Sequence, residues 1–162
     1  MRVQSAGILL FRHRRPKLEL FLVHPGGPIW VNRDEAAWSI PKGLFEDGER
    51  AIDAAKREFL EETSFTAEGE FIELGQLKMP SGKIVHAWAV EQNVDANQLV
   101  SNTFTMEWPK GSGIMREYPE VDRGEWFDVA QARVKLSKGQ LGFIDRLLEV
   151  LLHHNVIQDD AE

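Results

Sequence analysis

The sequence predicts one domain of mixed α/β (α+β) class, spanning residues 1–162. Three observations carry that expectation. Short apolar runs of strand type stand on both sides of an alanine-rich amphipathic segment, and a second amphipathic run lies near the C-terminus. A length of 162 residues suits a single hydrophobic core. No internal repeat or low-complexity tract divides the chain, and disorder is expected only at its ends.

Ser5 to Phe11 and Leu18 to Val23 are apolar runs parted by the charged, proline-containing HRRPK, the pattern of a two-stranded hairpin. The following HPGGPIWVNRDEAAW reads as a loop, since its Pro/Gly cluster interrupts regular structure, and Trp30 and Trp38 make it an unusual one. SIPKGLFEDGE, punctuated by Pro41, Gly43 and Gly48, reads as a second irregular segment. A helix is predicted from about Arg50 to Thr63, with Ile52, Ala55 and Phe59 facing inward. FIELGQLKM, KIVHAWAVE and TFTMEW are strand-type runs expected to join the same sheet, with Pro80-Ser81-Gly82 as a turn between the first two. Asp128 with Gln131, and Ser137 with Gln140, each have the spacing of a capping box that opens a helix. The last helix is expected from Gln140 to about His153, using Leu141, Ile144, Leu148, Val150 and Leu151 as apolar positions. His153 and His154 at its end would complement the helix dipole.

Composition narrows the classes of function. The chain has no cysteine, which excludes disulfides, thiolate zinc sites and a cysteine nucleophile, and a reducing cytoplasm is the expected setting. The apolar run at the N-terminus is too short for a signal peptide and no later segment approaches the span of a bilayer, so a non-secreted protein without a membrane partner is expected. A net charge of −7 argues against broad adhesion to nucleic acid or anionic membranes, which select basic faces. A small anionic substrate remains compatible, provided that bound cations reverse the local field.

On the predicted helix Glu58, Glu61 and Glu62 share roughly a 100° arc. Ala51 and Ala54 lie on the same stripe one and two turns earlier and leave the surface before the acids open. Without a cation, Glu58 and Glu62 repel by a few tenths of a kcal/mol on a solvated helix. The plainer alternative is a set of exposed glutamates balanced by Lys56 and Arg57. The wider pattern separates the two: Gly43, five residues, Glu49, seven residues, Arg57-Glu58-Phe59, one residue, Glu61-Glu62, one residue, Ser64-Phe65. This resembles the Nudix box, G-x5-E-x7-R-E-U-x-E-E-x-G-U, where U is bulky and apolar. The one departure is Ser64, which stands where the family has glycine. It is expected to accept the left-handed conformation that ends the helix at a cost of order 1 kcal/mol, without touching the metal-facing positions.

The resemblance covers nearly the whole chain and implies the Nudix fold, an α/β/α sandwich around a mixed sheet. It also implies a Mg2+-dependent hydrolase, with Mn2+ as an alternative ion, that cleaves a phosphoanhydride bond in a small-molecule nucleotide substrate. Magnesium favours oxygen ligands, and Glu61 and Glu62 are the leading candidates. By resemblance, the Gly43 carbonyl also reaches a metal, Glu58 is a ligand or takes the proton from the attacking water, and Arg57 pairs with Glu49 to hold the loop against the helix. Lys42 would sit beside the phosphates. A further acid often comes from outside the box in this family. EYPEVDRGEWF offers Glu117, Glu120, Asp122 and Glu125, of which Glu120 is favoured.

Of the tryptophans, Trp38, Trp88 and Trp108 are expected to pack in the core, and loop-placed Trp30 is the candidate for stacking on a base. His86 is expected to pack on the sheet. WSIPKG resembles dinucleoside polyphosphate and nucleoside triphosphate hydrolases, and the HPGGPIW insertion resembles a bacterial branch predicted to act on nucleoside triphosphates. ADP-ribose or nucleotide-sugar cleavage is the rival enzyme reading, suggested by Pro80 about fifteen residues after the box, although a hairpin turn explains that proline equally well. A non-catalytic nucleotide-sensing domain is the rival from another class, disfavoured because all three box acids are present. A homodimer is compatible with the sequence.

Overall fold

The computed structural model describes residues 3–161, and side chains for residues 3–153. The chain order is β1 (Gln4–Arg14), β2 (Lys17–Pro25), β3 (Lys42–Leu44), α1 (Ala51–Thr63), β4 (Ile72–Lys78) and β5 (Ile84–Glu91). It continues with β6 (Thr103–Glu107), β7 (Met115–Pro119), β8 (Val121–Asp128), α2 (Val129–Lys135) and α3 (Leu141–Ala161). The main sheet runs β4-β5-β1-β2-β8, with β3 also on β1. β1 and β5 are parallel and the other pairs antiparallel, so the sheet is mixed as expected.

Alternation along the central strand creates the layers. Ala6, Ile8 and Leu10 of β1 face one core with Ala54, Ala55 and Phe59 of α1, while Leu9 and Phe11 face the opposite core with Ala132 of α2 and Phe143, Ile144 and Leu147 of α3. A strand covered by helices on both faces reads as a continuous apolar run, and residues 6–10 of β1 are buried without a break.

β1 pairs with β2 from Phe11 to Arg14 and with β3 through Ser5, Ala6 and Gly7. β3 therefore lies beside the first part of β1 and carries Lys42 and Gly43 to the sheet's edge over α1. The irregular SIPKGLFEDGE segment thus contains a short strand that its Pro and Gly punctuation concealed. Gly7 permits the approach, since a Cβ there would stand 2.5 Å from the Pro41 carbonyl oxygen.

Five expectations are corrected. β6 does not join the main sheet but pairs with β7 alone. Only Phe104 and Met106 of β6 are half-buried, against exposed Thr103, Thr105 and Glu107, so it lacks the second apolar face that a strand between two helical layers needs. In α1 the inward residues are Ala54, Ala55, Phe59 and Thr63, and Ile52 is only half-buried. Ala54 therefore packs into the core instead of leaving open surface before the acids. Ser137 makes no capping bond; Gln140 is buried, its Oε1 accepting from the Ile40 amide at 3.1 Å and its Nε2 donating to Ser39 Oγ at 3.0 Å. Finally, α3 runs on to Ala161, so His153 lies inside it, and the side chain of His154 is outside the described residues. The Asp128–Gln131 capping box does form.

Ser64 ends α1 with φ 68° and ψ 6°, the left-handed conformation expected of it. Its amide donates to the Leu60 carbonyl at 2.8 Å and its hydroxyl to the Val100 carbonyl at 2.6 Å, bonds that hold the residue in that conformation.

Candidate active site

The last two turns of α1, the edge of β3 and the link between β7 and β8 enclose a cavity of about 430 Å3. Its lining includes Lys42, Gly43, Glu58, Glu61, Glu62 and Glu120, so the fold brings together most of the residues singled out from sequence for the site. Glu49 and Arg57 make up the supporting pair, and Trp30 and Glu120 line a neighbouring depression.

Arg57 is the hub of the box. Its Nε and Nη2 donate to the two oxygens of Glu49 at 2.9 and 3.0 Å, its Nη2 also to the Leu44 carbonyl at 2.9 Å, and its Nη1 to Glu58 and Glu61 at 2.8 and 3.1 Å. The fork on Glu49 gives the fixed geometry that a guanidinium supports and an ammonium does not. It ties the loop after β3 to the helix and holds the Glu49 carboxyl below the usual range.

Gly43 lies where any other residue would collide with this array. A Cβ at that position would stand 2.0 Å from Cδ and Oε2 of Glu58. The glycine is required for close approach, not for an unusual φ, and the Glu58 carboxylate rests against the backbone as a result.

The acids are short of positive charge. Burial pushes the Glu62 carboxyl up to about 8, with Glu58 and Glu120 adding to the rise and Lys42 opposing it. Burial likewise raises the Glu58 carboxyl, against the pull of Arg57. The Lys42 ammonium is pushed down by burial first and by the neighbouring Lys83 second, while Glu62 and Glu58 act in the other direction. Clustered like charges in a partly dry cavity are costly until a counter-ion arrives.

Glu120 is set by a relay of backbone bonds. The Asn102 amide donates to the Glu61 carbonyl at 2.9 Å, the Glu120 amide to the Asn102 carbonyl at 2.8 Å, and the Gly26 amide to the Glu120 carbonyl at 2.9 Å. Of the four acids in EYPEVDRGEWF, Glu120 alone lies in the link between β7 and β8 and lines the cavity. Asp122 instead meets the fully buried His24, whose Nδ1 is 3.0 Å from the carboxylate and whose Nε2 is 2.6 Å from the Arg33 carbonyl. That contact joins the ends of β2 and β8 to the loop beyond Pro25.

Two residues escaped sequence reasoning. Lys83, half-buried before β5, lines the cavity with Lys42, and His24 anchors the loop beside it. Both depend on contacts distant in sequence and no local pattern signals them. Trp38 is 1% exposed and packs edge-on to Phe127 in the core, and His86 packs by Phe45 with Nε2 2.8 Å from Gln4 Oε1. Pro80 sits in the turn before β5 and abuts the site of Gly139, outside the cavity lining.

Among the described residues, no three acidic or histidine side chains already meet at a single point in the manner of metal ligands. The donor set nevertheless fits a hard divalent cation: Glu58, Glu61, Glu62 and Glu120 offer only oxygen to one cavity, with no sulfur or imidazole among the lining residues.

A NUDIX domain family model matches residues 1–147, which is most of the chain. The protein belongs to the Nudix family. Curated relatives include an RNA pyrophosphohydrolase of Caulobacter vibrioides, 36% identical over 58 residues, and one of Novosphingobium aromaticivorans, 41% identical over 59. These alignments cover 33% of this chain and 34% and 37% of the relatives, so the similarity spans about a third of each protein. Among solved structures, a Caenorhabditis elegans Ap4A hydrolase complex matches with TM-score 0.64 and 22% identity, covering 93% of this chain and 98% of that one. The Nudix domain of Shewanella oneidensis NrtR in complex with ADP-ribose matches with TM-score 0.66 and 15% identity over 93% and 89%. At these identities the likeness establishes the Nudix fold. No helix among the described residues is long and apolar enough to cross a membrane.

Proposed function

We propose that the protein is a Mg2+-dependent pyrophosphohydrolase, able to use Mn2+ instead, that opens a phosphoanhydride bond in a small nucleotide. A nucleoside triphosphate or a dinucleoside polyphosphate is the favoured substrate. The observation that carries this reading is one cavity lined by four carboxylates together with Lys42 and Lys83.

Glu61, Glu62, Glu58 and the Gly43 carbonyl would hold the ions. When bound, these supply the positive charge that neutralises the phosphate oxygens as charge builds on them. The residues of the chain do the rest. Lys42 and Lys83 receive a polyphosphate whose charge the acids alone would repel. Arg57, clamped by Glu49, keeps the loop and helix in register. Glu58 or Glu120 accepts the proton of the attacking water, and both stand within the same cavity. Trp30 lies beyond Glu120, on the side where the nucleoside end would rest.

The test is a substrate panel with product identification, run with and without chelator: diadenosine polyphosphates, ordinary and oxidised nucleoside triphosphates, ADP-ribose, nucleotide sugars and, given the relatives' names, a 5′-triphosphorylated oligoribonucleotide. Chelator-sensitive release of phosphate, pyrophosphate or a mononucleotide is expected. Tight nucleotide binding with no turnover by any substrate would replace this reading with that of a sensor. Within an active enzyme Glu120→Gln should lower kcat by roughly 10²-fold or more while leaving the thermal midpoint in place. An unchanged kcat would remove Glu120 from the mechanism.

A further inference from the structure

We infer that the loop after β2 and the β6–β7 hairpin together form a slot for one nucleobase of the substrate, gripped by stacking and read with little base selectivity. This rests on the pyrophosphohydrolase reading for its ligand, while its geometry is independent of it.

A second depression, of about 240 Å3, lies against the catalytic cavity and shares Pro25 and Glu120 with it. Its walls are Ile29 and Trp30 from the loop and Phe104 and Met106 from β6. The floor is Gly26-Gly27. Gly27 has φ +93°, and a Cβ there would come 3.1 Å from Phe104 Cζ, so the glycine lets the loop lie directly on that ring. Tyr118 of β7 stands beside Phe104, with ring centroids 6.1 Å apart, and the Arg33 guanidinium lies over the Trp30 ring at 5.5 Å. Each aromatic ring thus has a second group against it.

An isolated two-stranded ribbon is marginally stable in water, and this one stands outside the main sheet. Its half-buried residues, Phe104, Met106 and Tyr118, lie on or next to the slot. The ribbon is best understood as a wall built for what lies between it and the loop.

Size and chemistry choose the occupant. The volume is below the roughly 300–1,000 Å3 typical of sites for drug-sized ligands and suits a fragment the size of one flat ring system. Apart from Glu120, every side chain lining it is apolar, and the Gly26 amide is already bonded to the Glu120 carbonyl. A ligand group here finds π-faces and few hydrogen-bond partners. A nucleobase joined to phosphates across Glu120 meets both conditions, and stacking tolerates any base because every base has a π-face. In a dinucleoside polyphosphate, the second base would lie outside the slot.

The experiment compares kcat/KM for ATP, GTP, CTP and UTP with that for ribose 5-triphosphate, which lacks the base, in wild type, Trp30→Ala and Phe104→Ala. Wild type should accept the four bases within about tenfold of one another and prefer each over the base-less compound. Each alanine variant should lower that preference by about fivefold or more, and Trp30→Phe and Phe104→Tyr should retain it. Variants that hydrolyse nucleotides with the preference intact would overturn the slot and leave the pyrophosphohydrolase standing. If wild type hydrolyses no triphosphate, AMP binding by equilibrium dialysis decides. Weaker binding by both alanine variants than by wild type supports the slot in a non-hydrolytic protein; equal binding, or none by wild type, overturns it.

Discussion

Replacing Gly43 and Gly48 by alanine should cost similar stability but differ sharply in activity, because different physics requires each glycine. Gly43 is absent from the residues with positive φ, so alanine is permitted by the backbone there and by itself would stabilise the chain by about 0.4–1 kcal/mol through the unfolded state. The obstacle is Glu58. A Cβ would lie 2.0 Å from its Cδ and Oε2 and 2.6 Å from its Cγ, well inside ordinary contact, so the whole carboxylate end must move. Moving it breaks the 2.8 Å bond to Arg57, a charge-assisted contact of order 1.5–3 kcal/mol. The two contributions partly offset, leaving a loss of about 1–2 kcal/mol. Activity should suffer far more, since misplacing a catalytic group by about 1 Å can cost roughly 10²-fold in rate. Gly48 has φ +75°, and a Cβ there would meet nothing within 4 Å. Gly48→Ala should therefore lose about 1–2 kcal/mol to left-handed strain, a fall of about 2–4 °C in Tm per kcal/mol in a domain of this size, with kcat nearly intact. Thermal melts and steady-state kinetics on both variants test the contrast. Full activity in Gly43→Ala, or greater loss of kcat in Gly48→Ala, would refute the reasoning.

Further outcomes follow from the charges of Glu62 and Lys83. The Glu62 carboxyl is pushed up to about 8 in the fold, so the folded state keeps its proton while the unfolded chain gives it up near 4.5. The metal-free protein should accordingly lose stability as pH rises from about 4.5 towards 8, with the loss levelling off above that, and Mg2+ should raise Tm more at pH 8 than at pH 5.5. Mg2+ binding below pH 8 should also release protons, visible as a dependence of the calorimetric heat on the buffer's ionisation enthalpy; heats identical in all buffers would count against Glu62 as a ligand. Lys83→Met should raise KM for a triphosphate about tenfold at low ionic strength with a smaller change in kcat, as expected for loss of binding common to ground and transition states. An unchanged KM would remove Lys83 from phosphate binding.

What could be read from the sequence was what depends on neighbours a few residues away. Helical spacing put Glu58, Glu61 and Glu62 on one stripe, the box resemblance paired Arg57 with Glu49, and the Asp128 capping box needed only Gln131 three residues on. The same local rules failed where a distant contact outweighed them. Gln140 leaves its capping role to satisfy the Ile40 amide and Ser39, a hundred residues earlier in the chain. Ala54 turns inward because β1 packs over it, and β6 leaves the sheet because its alternation supplies only one apolar face.

By itself, then, the amino-acid order determined the family, the mixed α/β class, the carboxylate helix and the residues that lock it. Only the folded chain decided which acid outside the box reaches the cavity, that Lys83 stands beside Lys42, and that a glycine loop and a detached hairpin enclose a second depression. The reason is the range of the forces involved. Helix stripes and caps are set by backbone periodicity within a few residues, whereas Glu120, Lys83 and Phe104 are placed by strand pairing and backbone bonds between segments far apart in sequence, which no spacing along the chain encodes.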